Sequence, residues 1–216
     1  MSYVLRCLAA LAAALVLPFG AASAGVADDV AHLQQAWAQT KYATPAAAQE
    51  QQFDRLRAEA EGVAARNPGS AEVLIWYAII ESTYAGAKGG IGALQFVKNA
   101  KKSLEQALAI NPSALAGSAY TSLGSLYYQV PGWPIGFGDD AKAQDFLKKG
   151  LAANPDGIDP NFFYGDYLLR KGDPDGAERF LRKALQAPPR PGRKLADDGR
   201  RGEIEQLLQK IAANRK

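Results

Sequence analysis

Few side chains in this sequence are suited to catalysis or to metal binding. The chain has one histidine, His32, and one cysteine, Cys7. Zinc sites need several Cys or His ligands at set spacings, and His32 has no such partner. No Gly-x-Ser-x-Gly segment is present to supply a serine nucleophile. The sequence therefore predicts no metal site and no cofactor, and it favours a protein that is not an enzyme.

Two aspartate pairs and a glycine-rich stretch are the remaining candidates for chemistry. The pairs at 139–140 and 197–198 are neighbours in sequence, which is typical of helix caps, and Asp139 is predicted to cap the helix that follows it. Residues 86–93 are rich in glycine and contain Lys88, but no Gly-Lys-Ser/Thr follows and no strand precedes them. We therefore predict no phosphate loop there.

A second glycine- and proline-rich stretch, residues 130–139, carries two large aromatic residues, Trp133 and Phe137. In one interpretation they fold back and seal a gap in the structure. In the other they anchor a partner or an apolar ligand, since tryptophan is common among binding anchors. The first interpretation is favoured. The two side chains are expected to be either both buried or both binding anchors, because they lie only four positions apart.

The elements that position these residues repeat along the chain. Four amphipathic segments end in proline, at Pro68, Pro112, Pro155 and Pro189, which are 44, 43 and 34 residues apart. Proline cannot continue a helix, so each segment is predicted to be a helix that ends there. Recurrence at intervals of this size indicates an array of helix pairs.

The last unit, residues 158–191, resembles a tetratricopeptide repeat. Gly165 and Ala177 match the small residues at which the two helices of that repeat cross, and other matches are Tyr164, Gly172, Asp173, Leu181, Ala184, Leu185 and Pro189. Similar patterns include Gly124 one unit earlier and Ala78 two units earlier. The resemblance implies an all-α superhelix of antiparallel helix pairs, with the long loops 86–93 and 130–139 side by side on one edge.

The repeat pattern divides residues 25–216 into three parts. Residues 25–70 are expected to form an N-terminal helical pair, with helices over 29–40 and 46–66. Residues 71–191 hold three repeats, and residues 192–216 hold a capping helix over 199–213. Arg193 or Arg200 is expected to reach back to a loop carboxylate such as Asp139 and fix that cap in place.

The resemblance also implies a concave groove lined by the first helix of each repeat. The groove-facing positions would be Ile75, Ile79, Ser125, Tyr128, Phe162, Asp166 and Leu169. These side chains are mostly apolar or aromatic, which suits an apolar helix or an extended peptide of a partner protein. Lys and Arg are scattered and the net charge is only +3, so no nucleic-acid partner is expected.

The N-terminus has the features of an export signal. Arg6 precedes an apolar run over residues 7–17, and Ala22-Ser23-Ala24 has the small-x-small form of a cleavage site. The run is too short to span a membrane, which takes about 20 residues. We expect cleavage after Ala24, a periplasmic location and no stable membrane anchor.

Three function classes remain open on these observations. The favoured class is a periplasmic scaffold that binds a protein or peptide partner. The second is a carrier of a small apolar ligand, because the aromatic loop and the helical repeats also resemble, faintly, the exported accessory component of TRAP-type transporters. The third is an enzyme or its specificity subunit.

Overall fold

A computed structural model describes the backbone of residues 19–215 and the side chains of residues 25–215. The predicted signal peptide, residues 1–24, lies outside the described side chains, and residues 1–18 lie outside the description altogether. Nine α-helices occupy the described part: α1 Phe19–Tyr42, α2 Ala46–Arg66, α3 Ala71–Lys88, α4 Leu94–Ile110, α5 Ser118–Gln129, α6 Asp140–Ala153, α7 Ile158–Arg170, α8 Pro174–Leu185 and α9 Lys194–Ala213. Short 3-10 turns, Ile91–Ala93 and Ala114–Gly117, precede α4 and α5.

Side-chain caps begin several of these helices. The Ser70 hydroxyl accepts from the backbone N–H of Val73, and Asp173 accepts from that of Gly176 at 2.8 Å. Asp139 accepts from the N–H of Lys142 at 3.0 Å, which confirms its predicted role as the cap of α6. Each cap satisfies a backbone donor that the first helical turn leaves without a partner.

Successive helices form antiparallel pairs, with α3 against α4, α5 against α6 and α7 against α8. Small residues stand where each pair crosses: a Cβ on Gly124 would lie 2.6 Å from Leu147 Cγ, and one on Gly165 would lie 2.9 Å from Leu181 Cγ. Ala78 and Ala100 are both fully buried in the first pair. The structure confirms the all-α helix-pair fold, and residues 19–215 contain no β-strand.

The odd-numbered helices form an inner layer and the even-numbered ones an outer layer. Along the inner layer α1 contacts α3, α3 contacts α5, α5 contacts α7, and α7 contacts α9. The helix α9 also contacts α1, so the inner layer closes into a ring. The helix α9 was predicted to begin at residue 199, but it begins at Lys194. The predicted end cap thus also contacts α1.

Because each inner helix is joined to the next through one antiparallel outer helix, the inner helices run in the same direction. In α3, α5 and α7 the C-terminal ends lie at one edge of the ring and the N-terminal ends at the other. We call these the C-edge and the N-edge. The helix-to-helix loops 89–93 and 130–139 both lie at the C-edge, as predicted. Within residues 19–215, no helix has the length and apolar composition that a membrane crossing requires.

Candidate functional site

The inner helices line a concave cavity of about 1460 Å³ that is open to solvent over part of its surface. Its lining includes loop residues of both edges, among them Gly90 and Ile135 at the C-edge and Leu115 and Gly157 at the N-edge. The cavity therefore extends along the height of the ring. An inner helix such as α5, with 12 residues, is about 18 Å long.

The walls of the cavity differ in chemistry. The side contributed by α3 and α4 is largely apolar, with Trp76, Ile79 and Val97. The α5 wall carries a row of hydroxyl groups, Ser118, Ser122 and Ser125. Such a mixture of apolar surface and a few polar groups is typical of ligand pockets.

Four of the seven predicted groove positions line this cavity: Ile79, Ser125, Phe162 and Asp166. The other three do not. Ile75 is fully buried between α3 and its neighbouring helices, so its predicted role as a groove contact is wrong. The helix is rotated such that Trp76 and Ile79 face the cavity and Ile75 faces the core.

Tyr128 and Leu169 serve as support for the cavity wall. The Tyr128 hydroxyl donates to Asp166 Oδ2 at 2.7 Å, and the same oxygen accepts from Arg170 Nε at 3.2 Å. Burial, followed by the charge of Asp166, raises the pKa of Tyr128. Leu169 packs against the apolar cluster of α7, α8 and α9. The Asp166 carboxylate is thus already bonded to its own neighbours.

An ion-pair network joins α7 to α9 at the N-edge. Asp159, in the first turn of α7, binds Arg190 Nη1 at 2.6 Å through one oxygen and Arg200 Nε at 2.9 Å through the other. Asp197 is buried and binds the Arg190 guanidinium at 2.6 Å. Arg200 was expected to reach a carboxylate such as Asp139. The partner is Asp159, because Asp139 lies at the opposite edge, where it caps α6.

Burial of the Asp159 carboxyl opposes ionisation, but Arg200 and Arg190 outweigh it and lower its pKa to about 2. Arg200 continues the network to Glu203 Oε2 at 2.5 Å and stacks over the Phe162 ring, 4.2 Å from the ring centroid. The carboxylate of Glu203 also lies 3.7 Å from Lys41 Nζ of α1. These pairs tie α7, α9 and α1 together.

Arg193 has a different environment from the other N-edge arginines. Its guanidinium lies over the Trp76 ring at 4.8 Å and forms no ion pair with any carboxylate of residues 25–215. Its Nε is buried without a hydrogen-bond partner among the described atoms, and so is the indole Nε1 of Trp76. Burial, and then the neighbouring charge of Arg190, lower the pKa of Arg193.

The two loop aromatics, which were expected to be alike, differ in burial. Phe137 packs into the core beside Tyr127, with ring centroids 5.5 Å apart. Trp133 is 90% exposed. The sealing interpretation therefore holds for Phe137 and is wrong for Trp133.

The loop that carries Trp133 is held by its own backbone. The Gly138 N–H donates to the carbonyl of Pro131 at 2.9 Å, and the Asp139 N–H donates to that of Tyr127 at 2.9 Å. A Cβ on Gly138 would lie 2.0 Å from the carbonyl oxygen of Val130, so this close approach requires glycine. Trp133 is thereby presented on a defined support.

Two more large apolar side chains are exposed at the C-edge: Ile135 on the same loop, at 59%, and Ile91 on the neighbouring loop, at 83%. Both also line the cavity. These two residues were not predicted as binding residues, although each is an isolated large aliphatic residue in a glycine-rich stretch. We call Ile91, Trp133 and Ile135 the loop-edge patch.

The chain is similar to the crystal structure of MamA, with 20% sequence identity and a TM-score of 0.34, over 63% of this chain and 88% of that chain. No family model matches the sequence, and no curated protein matches it.

Proposed function

We propose that the protein is an exported, non-catalytic binding protein that docks a partner protein on the loop-edge patch. The observation that carries the proposal is the exposure of Trp133, Ile135 and Ile91 on two adjacent loops. Single exposed apolar residues are common on protein surfaces, whereas a group of three at one edge indicates an interaction surface. A fixed loop also loses less conformational entropy on binding than a flexible one.

The expected partner presents an extended apolar segment. Ile91 and Ile135 belong both to the patch and to the cavity lining, so a segment that packs on Trp133 can continue along the same surface into the ring. Ile79 and Val97 would then receive its apolar side chains. This proposal retains a protein partner and adds the loop-edge patch to the predicted groove.

Site-specific photo-crosslinking in the native periplasm tests the proposal. A photoreactive residue at position 91, 133 or 135 is expected to give one and the same adduct. Ile110 is the control, because it is 46% exposed at the opposite edge and should give none. Equal adducts from position 110 would contradict the proposal.

Substitution of Trp133 separates binding from folding. Trp133→Ala removes a side chain that is 90% exposed, so the unfolding free energy should change by less than about 0.5 kcal/mol. Affinity for the crosslinked partner should fall by about 2 kcal/mol, as for an anchor residue. The matched variant Phe137→Ala should instead destabilise the fold by about 3–5 kcal/mol. Unchanged affinity in Trp133→Ala would refute the docking surface.

The periplasmic location in this proposal depends on the residue pattern of the N-terminus. Intact mass of the exported product should correspond to a chain that begins at Gly25. A product that retains Met1 would contradict export by a cleaved signal.

A second candidate function is the carriage of a small apolar ligand, and the concave cavity favours it. Its volume of about 1460 Å³ exceeds the roughly 300–1,000 Å³ of ordinary ligand pockets. Under this candidate the protein would be an accessory of a TRAP-type transporter, as the faint resemblance implies. Native protein should then release a defined small molecule on denaturation, detectable by mass spectrometry. Protein that releases none and is crosslinked at the patch would exclude it.

A further inference from the structure

We infer that the cavity binds an organic anion with an apolar body, and that Arg193 binds its anionic group. The inference deepens the second candidate function and rests on it, because it names the chemistry of the ligand. It depends on the charges at the N-edge and on the position of Arg193 in the cavity lining.

The charges around Arg193 do not balance. Lys41, Arg190 and Arg200 pair with the three carboxylates of the network. Those carboxylates are Asp159, Asp197 and Glu203. Arg193 is a fourth cation in the same cluster, and no carboxylate of residues 25–215 pairs with it. The network therefore keeps one positive charge beside the cavity.

Arg193 is only partly buried, and no carboxylate of residues 25–215 pairs with it. Its Nε and the indole Nε1 of Trp76 are closed to solvent, so the terminal nitrogens of the guanidinium are the donors that a cavity ligand can reach. Both side chains line the cavity. Arg193 thus supplies positive charge and hydrogen-bond donors at this point, and the group that complements them is an acceptor with negative charge.

The surroundings of Arg193 define the rest of the ligand. From the N-edge, the α3 wall continues with Ile79 one turn beyond Trp76, and the α4 wall adds Leu94 and Val97. This surface is apolar and leads toward the C-edge. A carboxylate against the guanidinium, with a hydrocarbon or aromatic body along α3, satisfies both the charge and the apolar wall.

Calorimetric titration with three probes tests the ligand class on ligand-stripped protein of natural sequence. Dodecanoate carries both the anion and the apolar body, dodecanol only the body, and inorganic phosphate only the anion. Dodecanoate should bind about tenfold or more tightly than either of the others, as a charge-assisted hydrogen bond implies. Equal affinities for dodecanoate and dodecanol would overturn the inference but leave an apolar-ligand carrier intact. If neither dodecanoate nor dodecanol binds, the inference and the carrier function are both overturned.

Variants then assign the anionic group to Arg193. Arg193→Gln should weaken dodecanoate binding about tenfold or more and leave dodecanol binding unchanged. Lys194→Gln is the matched control, since it removes the same charge from the next residue, whose side chain is 88% exposed. Arg193→Lys should recover part of the affinity.

The stability of the ligand-free variants excludes a purely structural role. If Arg193 only stacked on Trp76, Arg193→Gln would lower the melting temperature and leave binding unchanged. If it binds an anion, Arg193→Gln should weaken dodecanoate binding whatever the change in melting temperature. A lower melting temperature with unchanged dodecanoate affinity would refute the assignment.

Discussion

At the residue scale, the turn before α5 contains backbone conformations that side chains rarely adopt. Leu115 and Ala116 have φ of 48° and 53°, and Gly117 follows with 74°. Three consecutive left-handed residues direct the chain from the end of α4 into α5. Gly117 must be glycine, because a Cβ there would lie 2.4 Å from the Cβ of Ala153. For the other two, the conformation costs about 1–2 kcal/mol each.

Ala116→Gly should therefore stabilise the protein by about 1 kcal/mol, because glycine adopts this conformation without the steric penalty of a Cβ. Ala116 is exposed, so no packing is lost. Ala58→Gly, on an exposed face in the middle of α2, should have the opposite sign, about 0.5–1 kcal/mol of destabilisation. Urea denaturation of both variants measures the two changes. A destabilised Ala116→Gly protein would show that the turn is not left-handed.

Glu81 is a residue whose environment conflicts with its charge. Its carboxyl group is fully buried in α3, and neither oxygen has a hydrogen-bond partner among the described residues. Arg57 Nη1 is 3.7 Å away. Burial raises the pKa of Glu81. The raised pKa means that the folded protein holds this proton more tightly than the unfolded chain does.

The stability contributed by protonated Glu81 is present at low pH and is lost as the pH rises through the pKa of the folded state. The Glu81→Gln variant cannot ionise at this position. As the pH rises from about 4 to about 7, its unfolding free energy should therefore increase relative to that of the natural protein. Glu61→Gln, which removes an exposed carboxylate that pairs with the same arginine, should show no such trend. Denaturant titrations at four pH values measure the difference. A constant difference for Glu81→Gln would contradict the assignment.

At the element scale, the helix pairs depend on small residues at their crossings. Gly124→Ala should destabilise the protein by about 1–3 kcal/mol, because the new methyl group would lie 2.6 Å from Leu147 Cγ and 2.9 Å from its backbone nitrogen. Gly165→Leu should cost at least as much. Gly62→Ala has room, with its nearest neighbour at 3.6 Å, and should stabilise α2 by about 0.5–1 kcal/mol. Thermal unfolding of the three variants compares them directly.

Local patterns explain why the helix pairs could be predicted from the sequence. Gly165, Ala177 and Pro189 lie within 24 positions of one another, so their spacing is visible along the chain. The orientation of each helix was harder to predict. Ile75 and Trp76 are adjacent and both apolar, and only the packing of α3 against its neighbours decides which one faces the cavity.

The candidate site was predicted only in part, because it depends on contacts between distant residues. Arg193 and Trp76 are more than 100 positions apart, and no local pattern pairs them. Trp133 and Phe137 have similar sequence surroundings, yet one is exposed and the other packs beside Tyr127. The direction of each aromatic side chain is set by the backbone hydrogen bonds of the loop.

At the scale of the whole molecule, contact between the first and last inner helices converts a linear array into a ring. The Tyr42 ring of α1 lies directly on Gly199 of α9, and its hydroxyl is 3.4 Å from Glu203 Oε2. Tyr42 also packs edge-on against Trp37, with centroids 5.7 Å apart. In an open array each repeat contacts only its neighbours, and its stability is a sum of local terms. Ring closure adds one contact that couples the two ends.

Gly199→Ala tests this closure. An alanine inside a helix normally stabilises it by about 0.5–1 kcal/mol relative to glycine. At position 199, however, the new methyl group would fall within 2.5 Å of three atoms of the Tyr42 ring and must displace it. The variant should therefore be destabilised, and hydrogen exchange should accelerate in α1 as well as in α9. Gly202→Ala, three residues along the same helix, meets nothing within 4 Å and should be stabilised instead. Opposite signs at positions 199 and 202 would establish the contact between the ends, whereas stabilisation by both substitutions would mean that α9 stands apart from α1 and that the cavity is open on that side.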